Sequence, residues 1–581
     1  MKFHIHPFSS LVIVFLSCLL FIPNLGLVHL FDWDEINFAE SAREMIVSGN
    51  YSQVQINFNP FWEKPPLFIW MQVVSMKIFG INEFAARFPN AVFGVLTLVY
   101  IFNFAKSVFK GHIANWWVLA YLGAITPHFY FKTGLIDPVF NFFIFISVVQ
   151  IYEAFKKYSL NLNSNINFFK AGVFTGVAIL CKGPVALLII LLLIFSIVVS
   201  KRMVWFFSIG NVLLYGFTIL IVTSVWFLPE TIANGPYFLI EFVKYQIGLF
   251  SQNIAGHQQP FYYHFLVILI GCFPISLIAI FGYKKNQNYI YNENLFRLFM
   301  LCLFWVVLIL FSIVKTKIVH YSSLCWLPLS FLAAYSIENF SNKNQKFKFI
   351  YLVVIVLFGL LISSAVIALP YIMNNKLGEI IKNVKDDFAV QNLLAHVSWR
   401  YLDALPGFVL LFGLIGAVVF YFVKKDKLKY TFGFILISVA LFVNLSSFML
   451  VPKVEAHTQK NIVEFYKTLK NQDCYIQNVG YKTYAHYFYA EVKPLKMMDR
   501  LNLIRQKFYG DNNVKYYLEL DENARMQLDN IEKDWLLNGL IDKTVYFVAK
   551  INNQQNLDKN PSLEMFYYKD GFVVYKRKVK K

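Results

Sequence analysis

Runs of about 20 apolar residues recur along this chain, and that is the length needed to cross the hydrocarbon core of a bilayer. Of its 581 residues, 57% are hydrophobic and 15% charged. A soluble domain of this size cannot hide so much apolar area from water. The chain therefore reads as an α-helical polytopic membrane protein in contact with membrane lipids. Length and loop polarity suggest about thirteen spans. The run from about Phe8 to Leu30 reads as an uncleaved first span, because it is longer than a signal-peptide core and no A-x-A cleavage site follows. The stretch Pro65 to Phe79 is apolar but too short and interrupted for a span, which suits the interface.

The net charge of +19 does not point to nucleic acid, because the bases lie in short loops between spans rather than in a stripe. One set of alternate loops holds Lys106/Lys110, Lys156/Lys157/Lys170, Lys201/Arg202, Lys284/Lys285, Lys343/Lys346/Lys348 and Lys424/Lys425/Lys427/Lys429. By the positive-inside rule these loops and the N-terminus are cytoplasmic, and the acidic loops face outward. From about Lys453 the composition turns polar. A helical pattern at Glu464 to Lys470 and β-like runs at Cys474 to Val479, Thr544 to Val548 and Phe572 to Tyr575 predict a small soluble α/β domain. The expected division is 1–452 for the membrane body and 453–581 for this outer domain, with a solvated basic tail from Tyr575. The six cysteines form no CxxC pair, which gives no sign of a disulfide framework or thiolate metal site.

Against this apolar background the charges after the first span stand out. Asp32, Asp34, Glu35, Glu40, Arg43 and Glu44 precede Glu63-Lys64-Pro65-Pro66. Ionisable groups beside a membrane-embedded body are costly to desolvate and mark sites. The 39–46 segment predicts an amphipathic helix along the membrane, with Glu40 and Glu44 as surface or capping acids and Asp34 as the functional one. Glu63-Lys64-Pro65-Pro66 is either an acid and a phosphate-holding cation on a stiff turn or a membrane-edge anchor between Trp62 and Trp70. Asp137, before Pro138, is a second cavity acid or a helix cap. Lys182, in Lys182-Gly183-Pro184, must snorkel or meet an anion. His257 is a metal ligand or a hydrogen-bonding loop residue. Lys315, Lys317, His320 and Tyr321 add cations and donors to the same outer face. No Walker loop, Rossmann fingerprint or GxSxG occurs, which argues against a nucleotide donor.

These segments together resemble the GT-C type lipid-phosphate-sugar glycosyltransferases, most of all the bacterial 4-amino-4-deoxy-L-arabinose (lipid A) transferase family, relatives of protein O-mannosyltransferases. The resemblance runs through Asp34-Glu35, Ala39 to Met45, Gly49-Asn50-Tyr51, Glu63-Lys64-Pro65-Pro66-Leu67, Asp137-Pro138, Lys182-Gly183-Pro184, His257 to Phe261 and Lys317 to Tyr321. It implies a GT-C membrane body with about 13 transmembrane helices and a C-terminal α/β periplasmic domain. The catalytic acids would be Asp34, Glu35 and Asp137. Lys64, Lys182, Lys317 and Tyr321 would hold the donor's phosphate, and Glu63 with His257 a divalent metal such as zinc. Asn37 and Phe38 stand where the family has Arg and Tyr, and Val319 where it has Pro, which opens the identity of sugar and acceptor.

The expected function is inverting transfer of a sugar from a polyprenyl-phosphate carrier to an envelope acceptor, either a lipid A-like lipid, a glycan or a protein. The expected enzyme is a monomer in the bacterial inner membrane with its active site periplasmic. The alternative is a transporter or flippase of a lipid-linked sugar. That reading calls for inverted repeats and midplane charges, whereas here the charges gather at one face.

Overall fold

The computed structural model describes residues 10–201, 208–251, 259–284, 291–342, 346–423, 427–493, 530 and 532–579. His257 lies outside these residues, as do Arg202, Lys285, Lys343, Lys424 and Lys425. The described chain is mostly helical, as a backbone in lipid must be to satisfy its own hydrogen bonds. The first helices are α1 (Ser10–Phe21), α2 (Asp34–Ser48), α3 (Leu67–Phe79), α4 (Glu83–Val108), α5 (Ile113–Leu122) and α6 (Ile125–Tyr130). They are followed by α7 (Asp137–Tyr158), α8 (Asn165–Lys182), α9 (Val185–Lys201), α10 (Ile209–Asn234) and α11 (Pro236–Ser251).

Seven helices among the described residues are long and apolar enough to cross a membrane. An eighth crossing results if Tyr263–Gly271 and Ile275–Tyr283, bent by 107°, form one broken span. The sequence reading expected about thirteen, and the difference lies in helices that are apolar but short. Among the described residues the run read as a first span contributes the 12 residues of α1, which ends before the chain turns at Asn24, whose φ is 67°. Gly183, at φ 96°, ends α8, and Pro184 follows it. A window of hydropathy registers apolar length but not such breaks.

The helix expected to lie along the membrane is instead inside the protein. Eleven of the 15 residues of α2 are buried, Glu40 and Glu44 among them. Neither acid is a surface cap. Arg43 donates to both oxygens of Glu40 at 2.7 and 2.6 Å. Glu44 accepts from the backbone of Asn57 and Phe58 at 2.6 and 2.7 Å, which fixes the turn between the two-residue strands β1 (Gln55–Ile56) and β2 (Asn59–Pro60).

The C-terminal part carries a four-stranded sheet of β3 (Cys474–Val479), β4 (Thr544–Lys550), β5 (Glu564–Lys569) and β6 (Phe572–Arg577), in the order β3-β4-β6-β5. β3 and β4 run parallel, and the other pairs antiparallel. The three β-like runs read from the sequence all lie in this sheet. β5 was missed: Met565 to Tyr568 are apolar without alternation, and most of the strand's side chains are exposed at the sheet edge. The tail expected to be solvated instead begins as strand. Tyr575 is 2% exposed, and Arg577 donates to the carbonyls of Leu536 and Gly539 at 2.7 and 2.6 Å.

This unit docks on the loop that follows α1 and on α2. His29 meets Glu455, Gln459 donates to the carbonyl of Leu30 at 2.9 Å, and Arg43 donates to that of Val492 at 3.1 Å. Thr483 Oγ1 donates to Asp32 at 2.8 Å. The acids and the sheet thus share one end of the helical body. The lysine-rich end is opposite: α7 starts at Asp137 and finishes with Lys156 and Lys157, about 33 Å away at 1.5 Å per residue.

Candidate active site

The loop 61–66 is held from one side by an aromatic cluster. Trp62 packs with Trp226, Phe238, Phe242 and Leu180, and its indole donates to Glu230 at 2.9 Å. Glu63 and Lys64 follow at once. Gly183 frees Lys182 to be the last residue of α8, where a cation also complements the helix dipole. Asp137 opens α7 beside Pro138, whose missing N–H falls at a position that has no helical partner.

These pieces meet in a cavity of about 260 Å³. It is lined by Asp34, Glu63, Lys64, Asp137, Lys182 and Tyr321, together with Tyr245, His320 and Lys482. Lys182 Nζ donates to Asp137 Oδ1 at 2.5 Å and stands 4.9 Å from the centre of the Tyr321 ring. His320 Nε2 lies 3.1 Å from Asp34 Oδ2 and 3.8 Å from Asp137 Oδ2. Tyr245 donates to Glu63 Oε2 at 2.8 Å, and its ring centre lies 5.3 Å from Lys64 Nζ.

The electrostatics sort these groups. Burial pushes the Asp34 carboxyl up, but His320, Lys64 and Lys182 outweigh it and hold it below its ordinary value. Burial dominates at Glu63 and lifts it above the usual carboxylate range despite Lys64 and Tyr245. Burial also lowers Lys64, against the pull of Glu63 and Asp34. Two neighbouring acids are thus driven apart, one staying ionised and the other readier to take a proton.

Asp34 and His320 also border a second cavity of about 400 Å³, lined largely by apolar side chains such as Leu27, Phe31, Phe129 and Leu135, with Lys132 among them. The carboxylate of Asp34 therefore stands in a wall between two chambers, one rich in cations and one amphipathic.

Other expected site residues do not line the cation-rich cavity. Glu35 is fully engaged: Arg87 donates to its two oxygens at 3.0 and 2.8 Å, and the backbone of Gly134 and Phe31 donates at 2.5 and 2.9 Å. Burial pushes this carboxyl up, but Arg87 and the two backbone donors outweigh it and hold it below its ordinary value. Lys317 is turned to the carbonyl of Val314 at 2.6 Å and does not line the cavity. Lys315 is exposed.

A metal held by Glu63 and His257 has one of its two expected ligands among the described residues. No group of three or more His, Cys, Asp or Glu side chains with metal-binding geometry occurs among them, and one oxygen of Glu63 is already bound by Tyr245. The described donor set does not by itself make a metal centre. Arg87, Tyr245 and Lys482 went unread in the sequence. A single Arg in α4 and a Tyr in α11 carry no motif, and Lys482 lies about 420 positions from Glu63 and Lys64 and about 450 from Trp33 and Asp34.

The fold matches that of a membrane protein of known structure. The crystal structure of ArnT from Cupriavidus metallidurans in the apo state matches with a TM-score of 0.72 over 97% of both chains, at 16% identity. The same protein bound to undecaprenyl phosphate matches with a TM-score of 0.71 over the same shares, also at 16%. In sequence the chain is similar to undecaprenyl phosphate-alpha-4-amino-4-deoxy-L-arabinose arabinosyl transferases. The protein from Wigglesworthia glossinidia brevipalpis is 28% identical, over 58% of this chain and 60% of its own. That from Shewanella sediminis is 29% identical, over 62% and 66%. The chain thus matches less than two thirds of the length of these relatives. Residues 63–228 match a family model described as dolichyl-phosphate-mannose-protein mannosyltransferase. The resemblance read from the sequence is borne out, and the chain is a multi-pass membrane protein of this fold.

Proposed function

We propose that this protein is an inverting glycosyltransferase that moves a sugar from a polyprenyl-phosphate carrier to an envelope acceptor at the periplasmic face of a bacterial inner membrane. One observation carries the reading: the Asp34 carboxylate stands between a cation-lined chamber and an amphipathic one. The curated relatives bear the name of such a transferase, and the chain shares the fold of ArnT from Cupriavidus metallidurans.

In this reading the donor's phosphate sits in the cation-lined chamber, near Lys64, Lys182 and Tyr321. The acceptor, an envelope lipid of the lipid A kind or a glycan or protein, enters through the amphipathic chamber. Asp34, held ionised by His320 and the two lysines, accepts the proton of an acceptor hydroxyl. The acceptor oxygen attacks the anomeric carbon, the bond from that carbon to the phosphate oxygen breaks, and polyprenyl phosphate departs. Attack opposite the leaving oxygen inverts the configuration. Lys64 and Lys182 stabilise the charge that grows on the departing phosphate. Glu35, bound to Arg87, sets the position of Asp34. Lys317 takes no part in phosphate binding. Residues 1–452 form the membrane body, and 453–581 form a periplasmic domain over the site. A transporter reading gains no support, since the cavity charges gather at one end of the helices and not at midplane.

The test is Asp34→Asn in purified protein reconstituted with a sugar-charged polyprenyl phosphate and envelope extract. Transfer should fall about 10²- to 10⁴-fold, the usual contribution of a general base, while donor binding persists. Turnover close to that of the wild type removes Asp34 from the mechanism.

A further inference from the structure

The cation-lined chamber is not completed by the membrane helices alone. Lys482, from the turn after β3, is on its wall. The turn is rigidly seated. Gly480, at φ 78°, makes the bend, and the side chain of Asn553 packs so close that a Cβ there would stand 2.2 Å from it. Thr483 Oγ1 donates to Asp32 at 2.8 Å and accepts from the backbone of Ala485 at 3.1 Å. Tyr466, Asn478 and His486 brace the segment from behind. Lys482 itself has no carboxylate within ion-pair distance among the described residues. Its ammonium instead stands 5.2 Å from the ring centre of Trp33 and 5.4 Å from that of Tyr484. Trp33 and Phe61 line the same chamber, and Tyr484 packs against both, with ring centres 5.5 and 6.2 Å apart.

We propose that Lys482 and the Trp33–Phe61 ring pair form the sugar-binding end of the donor site, so that the C-terminal unit selects the sugar that is transferred. The inference rests on the function proposed above. There, the phosphate occupies the end walled by Lys182 and Tyr321, and the anomeric carbon must lie near Asp34. The sugar ring is then left facing Trp33, the residue next to Asp34, and its neighbours. Aromatic faces accept the C–H face of a pyranose, and an ammonium offers three donors to sugar hydroxyls. Lys482 is already held over the rings, so little ordering is lost when it engages.

The experiment compares two probes on full-length protein in nanodiscs: a short-chain polyprenyl phosphate, and the same lipid carrying an uncharged pentose, L-arabinose. The wild type should bind the sugar-bearing lipid more tightly. Lys482→Met should weaken that lipid about tenfold, as loss of charge-assisted hydrogen bonds would, and leave the bare phosphate within twofold. Lys482→Arg should recover part of the loss. Because Lys482 is exposed, the thermal midpoint of the variant should match the wild type, which separates site loss from misfolding. Equal weakening of both probes, or of neither, overturns the proposal, as does a wild type that binds the two probes equally. A wild type that binds neither probe refutes the transferase reading itself, an outcome distinct from the others.

Discussion

Replacing Arg87 by Met should be among the most damaging single changes in this protein, and a second change at Glu35 should partly repair it. Arg87 is 3% exposed. It donates to both oxygens of Glu35 and to the carbonyls of Leu25, Val28 and His29 at 2.8, 2.8 and 2.9 Å. Its removal leaves Glu35 ionised, 5% exposed and without its cation, which costs about 3–5 kcal/mol. Each stranded carbonyl adds about 1 kcal/mol. Glu35→Gln takes away the uncompensated charge but keeps an amide oxygen to accept from Gly134. The double variant Arg87→Met/Glu35→Gln should therefore be about 2–3 kcal/mol more stable than Arg87→Met alone, although it carries one more substitution. Unfolding in mixed detergent, followed by tryptophan fluorescence, measures all three variants. The double variant should stay poorly active, because the loop beside Asp34 still lacks its carbonyl anchors. Additive destabilisation, with the double variant less stable than Arg87→Met, refutes the buried pair as the anchor of this loop.

The remaining predictions concern the cation-lined chamber. Lys182→Met strands Asp137, whose Oδ2 already has no hydrogen-bond partner among the described residues; stability should drop by about 3 kcal/mol, and Asp137→Asn in the same chain should restore stability but not transfer. Glu63, raised by burial, binds a proton in the folded state at a pH where the unfolded chain has released it. Its ionisation therefore weakens the fold at neutral pH, and that cost is relieved as pH falls through the raised value. Glu63→Gln should be more stable than the wild type at neutral pH, with the gap closing on acidification; parallel stability–pH curves exclude this. Asp34, held below its ordinary value, has the opposite sign: it favours the fold at neutral pH and loses that contribution only as pH drops through its lowered value.

Much of the site was legible because charge is conspicuous in an apolar chain. Asp34, Glu63, Lys64, Asp137, Lys182 and Tyr321 were each singled out, and they line one cavity. Their partners were not legible. Asp34 and Glu35 are adjacent in sequence, yet successive helical residues point about 100° apart. One faces His320 and the cavity, and the other faces Arg87. Glu40 and Glu44 read as surface acids because nothing local announces that the C-terminal segment, some 450 residues on, will cover their helix.

The amino-acid order alone determined a helical membrane body, a polar C-terminal unit with three of its strands, and the acids and lysines that could not be left idle in lipid. Those follow from hydropathy and local periodicity, which any window of the chain displays. Which acid stays ionised, which lysine is turned away, and that Lys482 from the far unit joins the cavity were decided only by tertiary packing. Burial and charge pairing depend on distances through space, and those are set by contacts between segments hundreds of residues apart.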